Sequence, residues 1–348
     1  MPQKKPHPPI FRGSPHLKTW QACYEEWLTA TREHSGSDAT IRSYRCECEH
    51  FFSDFRRAPE HYTREEVATF IRKPVRRRTG EMVAPSPYTQ NRRLATLKSF
   101  YDFASQYYVP FHKSERPLMS KPSPCNGLKA IKPGRKPKGL TEDELKRLFA
   151  AIPREGAKHK RDFALFSFYF WSARRRDEIL RLTWADVLDV TFIEDGTPRA
   201  GHMYRYSSKG HSRDVFTSEL RPEAWDALVD YLKTAGRWEN MQPDSPLFTS
   251  SYSQPGPEKP LHWSMVNVIL QRYADLAGLQ IGRKISVHWL RHTRAQLQWI
   301  DDPSDHALTK IQKLLGHEHL ETTLLYLAGA EEKPDDGAAR LSRKLGKL

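Results

Sequence analysis

A proline-rich stretch about a third of the way along the chain does most to limit the folds open to this sequence. Six prolines lie between Val109 and Gly139, and proline lacks a backbone N–H and clashes with the preceding helical turn. Because no helix can cross this stretch, it predicts two separately folded regions. Five cations lie between residues 129 and 138 with no acidic residue among them. We therefore interpret residues 111–139 as an extended basic linker, which either lies along a phosphate backbone or is a solvated tether.

The charge of the chain indicates a polyanionic partner. Its 348 residues include 56 Lys and Arg against 42 Asp and Glu, a net charge of +14. Four cysteines, all in the first 125 residues, are too few for a disulfide framework, which predicts a reducing, cytoplasmic setting. The longest strongly apolar run, residues 163–173, is about half of the ~20 residues that cross a bilayer, and the first residues contain no apolar signal core. These features exclude the membrane and secreted classes.

The first region is predicted to be a flexible basic arm, residues 1–16, followed by a small all-helical bundle, residues 17–110. Apolar residues follow helical spacing from Leu17 onward, and a capping box from Thr63 to Glu66 opens the third of four helices. The fourth helix is predicted over residues 87–107, with its cations on the face opposite the apolar one. The cations expected to contact the phosphate backbone of a polyanionic partner are Arg76, Arg77, Arg78, Arg92, Arg93, Lys98, Lys132, Arg135, Lys136 and Lys138.

The second region, residues 140–330, gives the chain a fold class that is mainly α with a small antiparallel β-sheet. A second capping box, from Thr141 to Glu144, opens its first helix. Segments of strand composition separated by turn signals predict three strands, after which helical spacing returns. The strands are predicted over residues 187–193, 202–206 and 213–217, and the later helices over residues 222–234, 262–277, 288–300 and 306–315.

The tail, residues 331–348, is predicted to be a short helix that cannot stand alone. Leu341, Leu345 and Leu348 form an apolar stripe at helical spacing after a Pro/Gly break. A stripe this short needs a surface to dock on. The spacing does not decide between docking in cis and docking on a neighbouring subunit.

Two motifs of the second region place arginines where they can bind an oxyanion. His288 and Arg291 are three residues apart on a predicted helix, so both side chains can donate to one phosphate or belong to an ordinary polar face. Three consecutive arginines, Arg174 to Arg176, follow an apolar helix. Because successive helical residues diverge by about 100°, at least one guanidinium points inward, toward Glu178 or toward a phosphate.

Three further residues stand at breaks in the pattern. Lys209 precedes a glycine between two predicted strands, where a hairpin tip projects it. Gly316 indicates the end of a helix, and His317 follows it directly. Tyr326 follows nine residues later in an apolar turn. Taken singly, the lysine is more typical of a solvated tip and the tyrosine of a core.

Together these motifs resemble the catalytic set of the tyrosine recombinases, the phage-integrase family that includes Cre and the Xer recombinases. Their order and approximate spacing carry the resemblance, which covers about residues 17–330 and implies a helical core-binding domain followed by a catalytic domain. Where the family commonly has Thr-Gly-Leu before its first arginine, this chain has Ser172-Ala-Arg174. The first arginine could therefore be any of the three, and we choose Arg175 because it lies three residues before Glu178.

The resemblance implies cleavage and rejoining of double-stranded DNA by a homotetramer, through a 3′-phosphotyrosine and a Holliday junction, without metal, cofactor or ATP. The tail would be exchanged between subunits. The base that takes the tyrosine proton, the DNA site and any accessory proteins stay open. The implied roles are nucleophile for Tyr326, phosphate clamp for Arg175 and Arg291, hydrogen bonding and proton handling for His288 and His317, general acid for Lys209, and orientation of the first arginine or a neighbouring histidine for Glu178.

Three other functions are alternatives to recombination. A type IB topoisomerase would use the same site to relax DNA, and a non-catalytic DNA-binding accessory protein would retain only the fold. A metal-dependent nuclease would need several convergent carboxylates, whereas pairs such as Asp301-Asp302 lie in predicted loop or tail segments. Cys46, Cys48 and His50 suggest a zinc motif, but only the first and last share a helix face and a fourth ligand is not apparent. We expect no metal site and interpret the cysteines as core residues.

Overall fold

The chain folds into two compact units, residues 1–134 and residues 135–348, and the division falls inside the proline-rich stretch. None of the described helices combines the length and the apolar character that crossing a bilayer requires. The structure, a computed structural model, describes residues 9–35, 38–53, 57–77, 79–112, 114–132, 139–208, 211–250, 258–279 and 284–327.

The first unit is a helical bundle around an aromatic core, as predicted. Thr63 opens the third helix: its hydroxyl accepts from the Glu66 N–H at 3.2 Å while the Glu66 carboxylate accepts from the Thr63 N–H at 2.8 Å, so the capping box is confirmed. Trp20, Trp27 and Phe100 are fully buried at its centre. The helices are α1 (Pro15–Ser35), α2 (Asp38–Phe51), α3 (Arg64–Arg72) and α4 (Pro87–Ser105).

The core of the first unit begins before the predicted boundary. Ile10 and Phe11 are buried, and the Phe11 ring lies edge-on to Phe52 with centroids 5.1 Å apart. The flexible arm predicted through residue 16 is therefore wrong for residues 10–16, because two apolar residues are too few to show a period. Residues 1–8 lie outside the described part.

The predicted linker is partly folded onto the first unit. Two strands, β3 (Tyr108–Phe111) and β4 (Ser114–Pro117), pair as an antiparallel hairpin. After the hairpin, Leu118, Met119 and Cys125 are buried in the core of the first unit. The stretch contains no helix in its described residues, as its prolines predict. The extended-linker prediction is wrong up to about residue 128, and residues 133–138 are not described. A shorter hairpin joins β1 (Val75–Arg76) to β2 (Met82–Val83).

The second unit is mostly helical with one three-stranded antiparallel sheet, which confirms the predicted fold class. The strands run in the order β5 (Val187–Glu194), β6 (Thr197–Ser208) and β7 (His211–Leu220). The helices are α5 (Glu142–Ala150), α6 (Gly156–Ser172), α7 (Arg176–Leu180), α8 (Pro222–Thr234), α9 (Trp263–Leu276), α10 (Val287–Asp301), α11 (Asp305–Leu315) and α12 (Leu320–Leu327). The predicted tail helix, with Leu341, Leu345 and Leu348, lies outside the described residues.

Helix α10 holds the parts of the second unit together. The amides of Gly139 and Leu140 donate to the side chains of Gln296 and Thr293, at 3.0 and 2.8 Å. A Cβ on Gly139 would lie 2.3 Å from the Gln296 amide oxygen and 3.0 Å from the Thr293 backbone, so a larger residue would displace the Gln296 side chain and crowd α10. The Gln296 amide also donates to the Tyr326 carbonyl at 3.1 Å, which fixes α12 on α10. This contact brings the tyrosine to the helix that carries His288 and Arg291.

Candidate active site

Arg291 lies at the centre of a polar cluster formed by the ends of three helices. It is 1% exposed, and its Nη1 donates to the Ala173 carbonyl at 2.6 Å while its Nη2 donates to the Leu315 carbonyl. Ala173 caps α6 and Leu315 ends α11, and the last carbonyls of a helix carry partial negative charge. Two helix ends therefore hold the guanidinium in the interior.

Tyr326, on α12, reaches the same cluster. Its hydroxyl lies 2.7 Å from Nε2 of His288, one helical turn before Arg291. The tyrosine ring also stacks on His292, with centroids 3.9 Å apart. Sequence reasoning missed His292, although it follows His288 by four residues and therefore lies on the same face of α10. The predicted shared face of His288 and Arg291 is confirmed.

His317 approaches Arg291 from the other side. Gly316 ends α11 in the left-handed conformation, with φ of 60°, as the predicted helix stop requires. The next residue places its ring Nε2 3.2 Å from the Arg291 Nη2 and its Nδ1 3.0 Å from the Thr323 hydroxyl. Because arginine can only donate, Nε2 is the acceptor, and the ring is neutral with its proton on Nδ1.

Both histidines have strongly lowered pKa values. Part of the His288 ring is exposed, but desolvation of the rest and the charges of Arg291 and Arg175 lower its pKa to about 4. Burial, and then the charges of Arg291, Arg175 and His288, lower the pKa of His317 to about 4. Both rings are therefore neutral near pH 7 and accept hydrogen bonds. In the free protein they add no positive charge to the cluster.

The three consecutive arginines have three different surroundings. Arg175 caps α7, its Nη1 donates to the buried Glu178 carboxylate at 3.1 Å, and its side chain is 37% exposed. Arg176 pairs with Asp177 and lies 4.9 Å from the Trp263 ring centroid. Arg174 is buried. Of the three, Arg175 is the one held by Glu178, and its charge reaches His288 and His317.

The predicted DNA contacts in the first unit differ in exposure. Arg76, Arg77 and Lys132 are exposed, whereas Lys98 donates to the Leu128 carbonyl at 2.8 Å. Exposed Arg92 pairs with Glu47.

Arg93 corrects the predicted exposure of α4. It is 7% exposed, donates to the carbonyls of Phe70, Ile71 and Lys73, and also pairs with Glu47. Its side chain therefore does not lie on the exposed face of α4 from which the DNA contact is predicted. Arg78, Arg135, Lys136, Lys138 and the predicted general acid Lys209 lie outside the residues whose side chains are described.

The described residues contain no group of three or more His, Cys, Asp or Glu side chains that could hold a metal ion. Cys23, Cys48 and Cys125 are buried, whereas Cys46 is exposed, with its Sγ 3.9 Å from the His50 ring. The prediction of core cysteines is therefore wrong for Cys46.

A known protein family matches the part of the chain that forms this cluster. The model of the phage integrase family matches residues 138–333. A tyrosine recombinase of Synechococcus elongatus is 26% identical over 268 residues, which are 74% of this chain and 72% of that protein. The tyrosine recombinase XerC of Thermodesulfovibrio yellowstonii is 26% identical over 296 residues, which are 83% of this chain and 85% of that protein.

Solved structures share the fold. A XerH site-specific recombinase bound to a palindromic difH substrate matches with a TM-score of 0.64 and 18% identity, over 95% of this chain and 86% of that one. A lambda integrase tetramer bound to a Holliday junction matches with a TM-score of 0.60 and 16% identity, over 91% and 79%. The family match spans more than half of the sequence and includes every residue of the cluster. The chain therefore belongs to the phage integrase family of tyrosine recombinases.

Proposed function

We propose that this chain is a site-specific DNA recombinase that cleaves and rejoins strands through a phosphotyrosine at Tyr326, without metal or ATP. One observation carries the proposal: the tyrosine hydroxyl lies 2.7 Å from a neutral histidine nitrogen, beside a buried arginine that has no carboxylate partner in the described residues. This arrangement supplies a nucleophile, a proton acceptor and a cation within one cluster.

His288 is the proton acceptor in this proposal. Its lowered pKa leaves Nε2 unprotonated at neutral pH, so it accepts the hydrogen bond of the phenol. A pKa of about 4 makes a weak base for a phenol whose ordinary pKa is about 10. A phosphate bound beside the ring opposes the arginine charges that lower this pKa. In this proposal the phosphate raises the basicity of the histidine against the arginine charges, while desolvation, the largest cause of its low pKa, stays in place.

The remaining roles follow the charge that develops at phosphorus. The Tyr326 oxygen forms a bond to phosphorus as the bond to the 5′-oxygen breaks, and Lys209 gives that oxygen a proton. Arg175 and Arg291 bind the non-bridging oxygens, and His317 adds a hydrogen bond. Glu178 orients Arg175 through the hydrogen bond described above. Attack of a partner duplex's 5′-hydroxyl on the phosphotyrosine then restores a phosphodiester.

The proposed partners follow from that chemistry. Exchange between two duplexes needs several active sites, and we infer a homotetramer on double-stranded DNA with a Holliday-junction intermediate. The solved neighbours include such an assembly of lambda integrase. We further infer that the tail docks on a neighbouring subunit and that Arg76, Arg77 and Lys132 contact the DNA backbone. We also infer that the protein works at the nucleoid in the cytoplasm, with accessory proteins where the reaction has a direction.

The test is a covalent-adduct assay. Wild-type protein and the Tyr326→Phe variant are incubated, without divalent metal, with a plasmid carrying the DNA that flanks the gene, and quenched with SDS. We expect an adduct for the wild type only. An adduct in both proteins would remove Tyr326 as nucleophile, and cutting that appeared only with added metal would favour a nuclease. Relaxation of any supercoiled plasmid without strand exchange would favour a topoisomerase.

A further inference from the structure

Arg174 is a buried arginine next to the active site that the roles above do not use. It is 6% exposed, and its Nε donates to the Tyr204 hydroxyl at 3.2 Å. Its guanidinium carbon lies 4.0 Å from the centroid of the Tyr206 ring. A Cβ on Gly316 would lie 3.7 Å from its Nη1, so the guanidinium packs against the turn that carries His317.

In the residues that the structure describes, Arg174 forms no ion pair with a carboxylate. Three buried arginines pair with carboxylates: Arg93 with Glu47, Arg161 with Asp162, and Arg237 with Glu258. Arg174 and Arg291 have no such ion pair within the described part of the chain. A buried charge is costly unless an opposite charge accompanies it. The two exceptions lie together, because Arg291 donates to the carbonyl of the residue before Arg174.

The donors of Arg174 are held in place and remain available. Tyr204, itself fully buried, fixes Nε, and the Tyr206 ring covers one face of the guanidinium. Within the described residues its Nη1 and Nη2 make no hydrogen bond. A planar guanidinium with two such donors matches a phosphate, and low exposure is no obstacle, since Arg291 is more deeply buried.

We propose that Arg174 is a third phosphate-binding arginine of this active site, and that it contacts the cleaved strand at the scissile phosphate or at a phosphate directly beside it. This inference rests on the proposed function, because it needs DNA in the cluster. It also explains why the chain tolerates a buried guanidinium there: the anion arrives with the substrate.

The test measures whether Arg174 acts through one particular phosphate of the DNA. Adduct formation is measured for the wild type, for Arg174→Leu and for the control Arg176→Leu, on duplexes that span the mapped cleavage position. The control removes an equal charge two residues away. One duplex is unmodified, and three carry a neutral methylphosphonate at the scissile phosphate or at either neighbour. On unmodified DNA we expect Arg174→Leu to lower the rate about 10²-fold and Arg176→Leu to leave it unchanged. At one of the three positions the methylphosphonate should abolish the Arg174→Leu defect.

A binding measurement separates failure of this inference from failure of the recombinase proposal. The slope of log Kd against log salt concentration is measured on a random-sequence duplex, where no cleavage is needed. Loss of one phosphate contact lowers its magnitude by about one, and Arg174→Lys should retain most of it. An equal defect of Arg174→Leu on all four duplexes, an unaltered rate, or an unaltered salt slope would overturn the inference. Absence of any wild-type adduct would instead count against the recombinase, and the salt slope would still decide on Arg174.

Discussion

Arg93 in the first unit and Arg291 in the second are both buried arginines that donate to backbone carbonyls, yet they have opposite electrostatic surroundings. Arg93 donates to three carbonyls and also pairs with the buried carboxylate of Glu47. Arg291 donates to two carbonyls at helix ends and forms no ion pair in the described residues, although the charges of Arg175 and Glu178 both act on it. Burial alone therefore does not distinguish an arginine that pairs with a carboxylate of the fold from one that does not.

The difference lies in where the counter-charge comes from. Glu47 neutralises Arg93 within the fold, so the pair stabilises the first unit whether or not DNA is present. Arg291 has helix dipoles but no carboxylate ion pair in the described residues, and burial and the charge of Arg175 lower its pKa. Under the proposed function, a phosphate would supply the missing charge. The first unit would then use a buried arginine to fold, whereas the second would keep one for its substrate.

The same substitution should act mainly on the reaction at Arg291 and only on stability at Arg93. Arg291→Met should lower adduct formation about 10³-fold, because it removes the donors aimed at developing charge. Arg93→Met should leave the rate per folded molecule unchanged but lower the free energy of unfolding by about 3 kcal/mol, because it breaks a buried pair and orphans carbonyls. Denaturant unfolding and the adduct assay, run on both variants, measure the two effects.

A double variant checks the structural half of this comparison. Replacing Glu47 by Leu together with Arg93→Met removes both charges, and we expect it to recover part of the lost stability. If Arg93→Met instead lowered adduct formation as much as Arg291→Met at unchanged stability, the division between the two arginines would fail.

These two arginines also show which structural features could be predicted from the sequence and which could not. The spacing of His288 and Arg291 placed both on one helical face, and Gly316 gave the helix stop before His317, because both signals are local. Arg93 was assigned to the exposed face of α4, and only its long-range partners, Glu47 and the carbonyls of residues 70–73, explain its burial. Local periodicity does not contain such partners.

Other differences from the sequence prediction have the same origin. The β3–β4 hairpin forms in a stretch where prolines indicated only the absence of a helix. Arg174 was one of three candidate arginines, and its burial depends on Tyr204 and Tyr206, thirty or more positions later. The motifs that meet in the Arg291 cluster were predictable as local structure because each is short. The packing that distinguishes neighbouring arginines depends on residues far away in the sequence and was not predictable.

The pH dependence of stability should also differ between the units. The folded-state pKa values of His288 and His317 are about 4, below the ordinary value of 6.5. Between these values the unfolded chain binds more protons, so the second unit loses stability as pH falls from about 6.5 toward 4. Contact with water keeps the loss well below that of fully buried rings. In the first unit, hydrogen bonds from Arg57 and Thr63 lower the pKa of Glu66 below 4.5, so its contribution is lost only at still lower pH.

Hydrogen exchange measures this difference in pH dependence between the two units. Lowering the pH from 7 to 5 should reduce protection in α10 and α12, after correction for intrinsic exchange, through the two histidines. A variant with His288→Gln and His317→Gln should lose most of this dependence, and an unchanged dependence in that variant would assign it to other groups.

The smallest expected effect concerns the backbone that presents a carbonyl to Arg291. Ala173 caps α6 with φ of 50° and ψ of 25°, a left-handed conformation that costs a residue with a Cβ about 1 kcal/mol relative to glycine. Ala173→Gly should therefore raise the free energy of unfolding by about 1 kcal/mol.

The matched control is Ala151→Gly at the cap of α5, where φ is −75° and glycine should destabilise. If Ala173→Gly stabilised the protein but slowed adduct formation, the strained alanine would be restricting the carbonyl that holds Arg291. An unchanged rate would mean that the helix ends alone fix the guanidinium, as the surroundings of Arg291 predict.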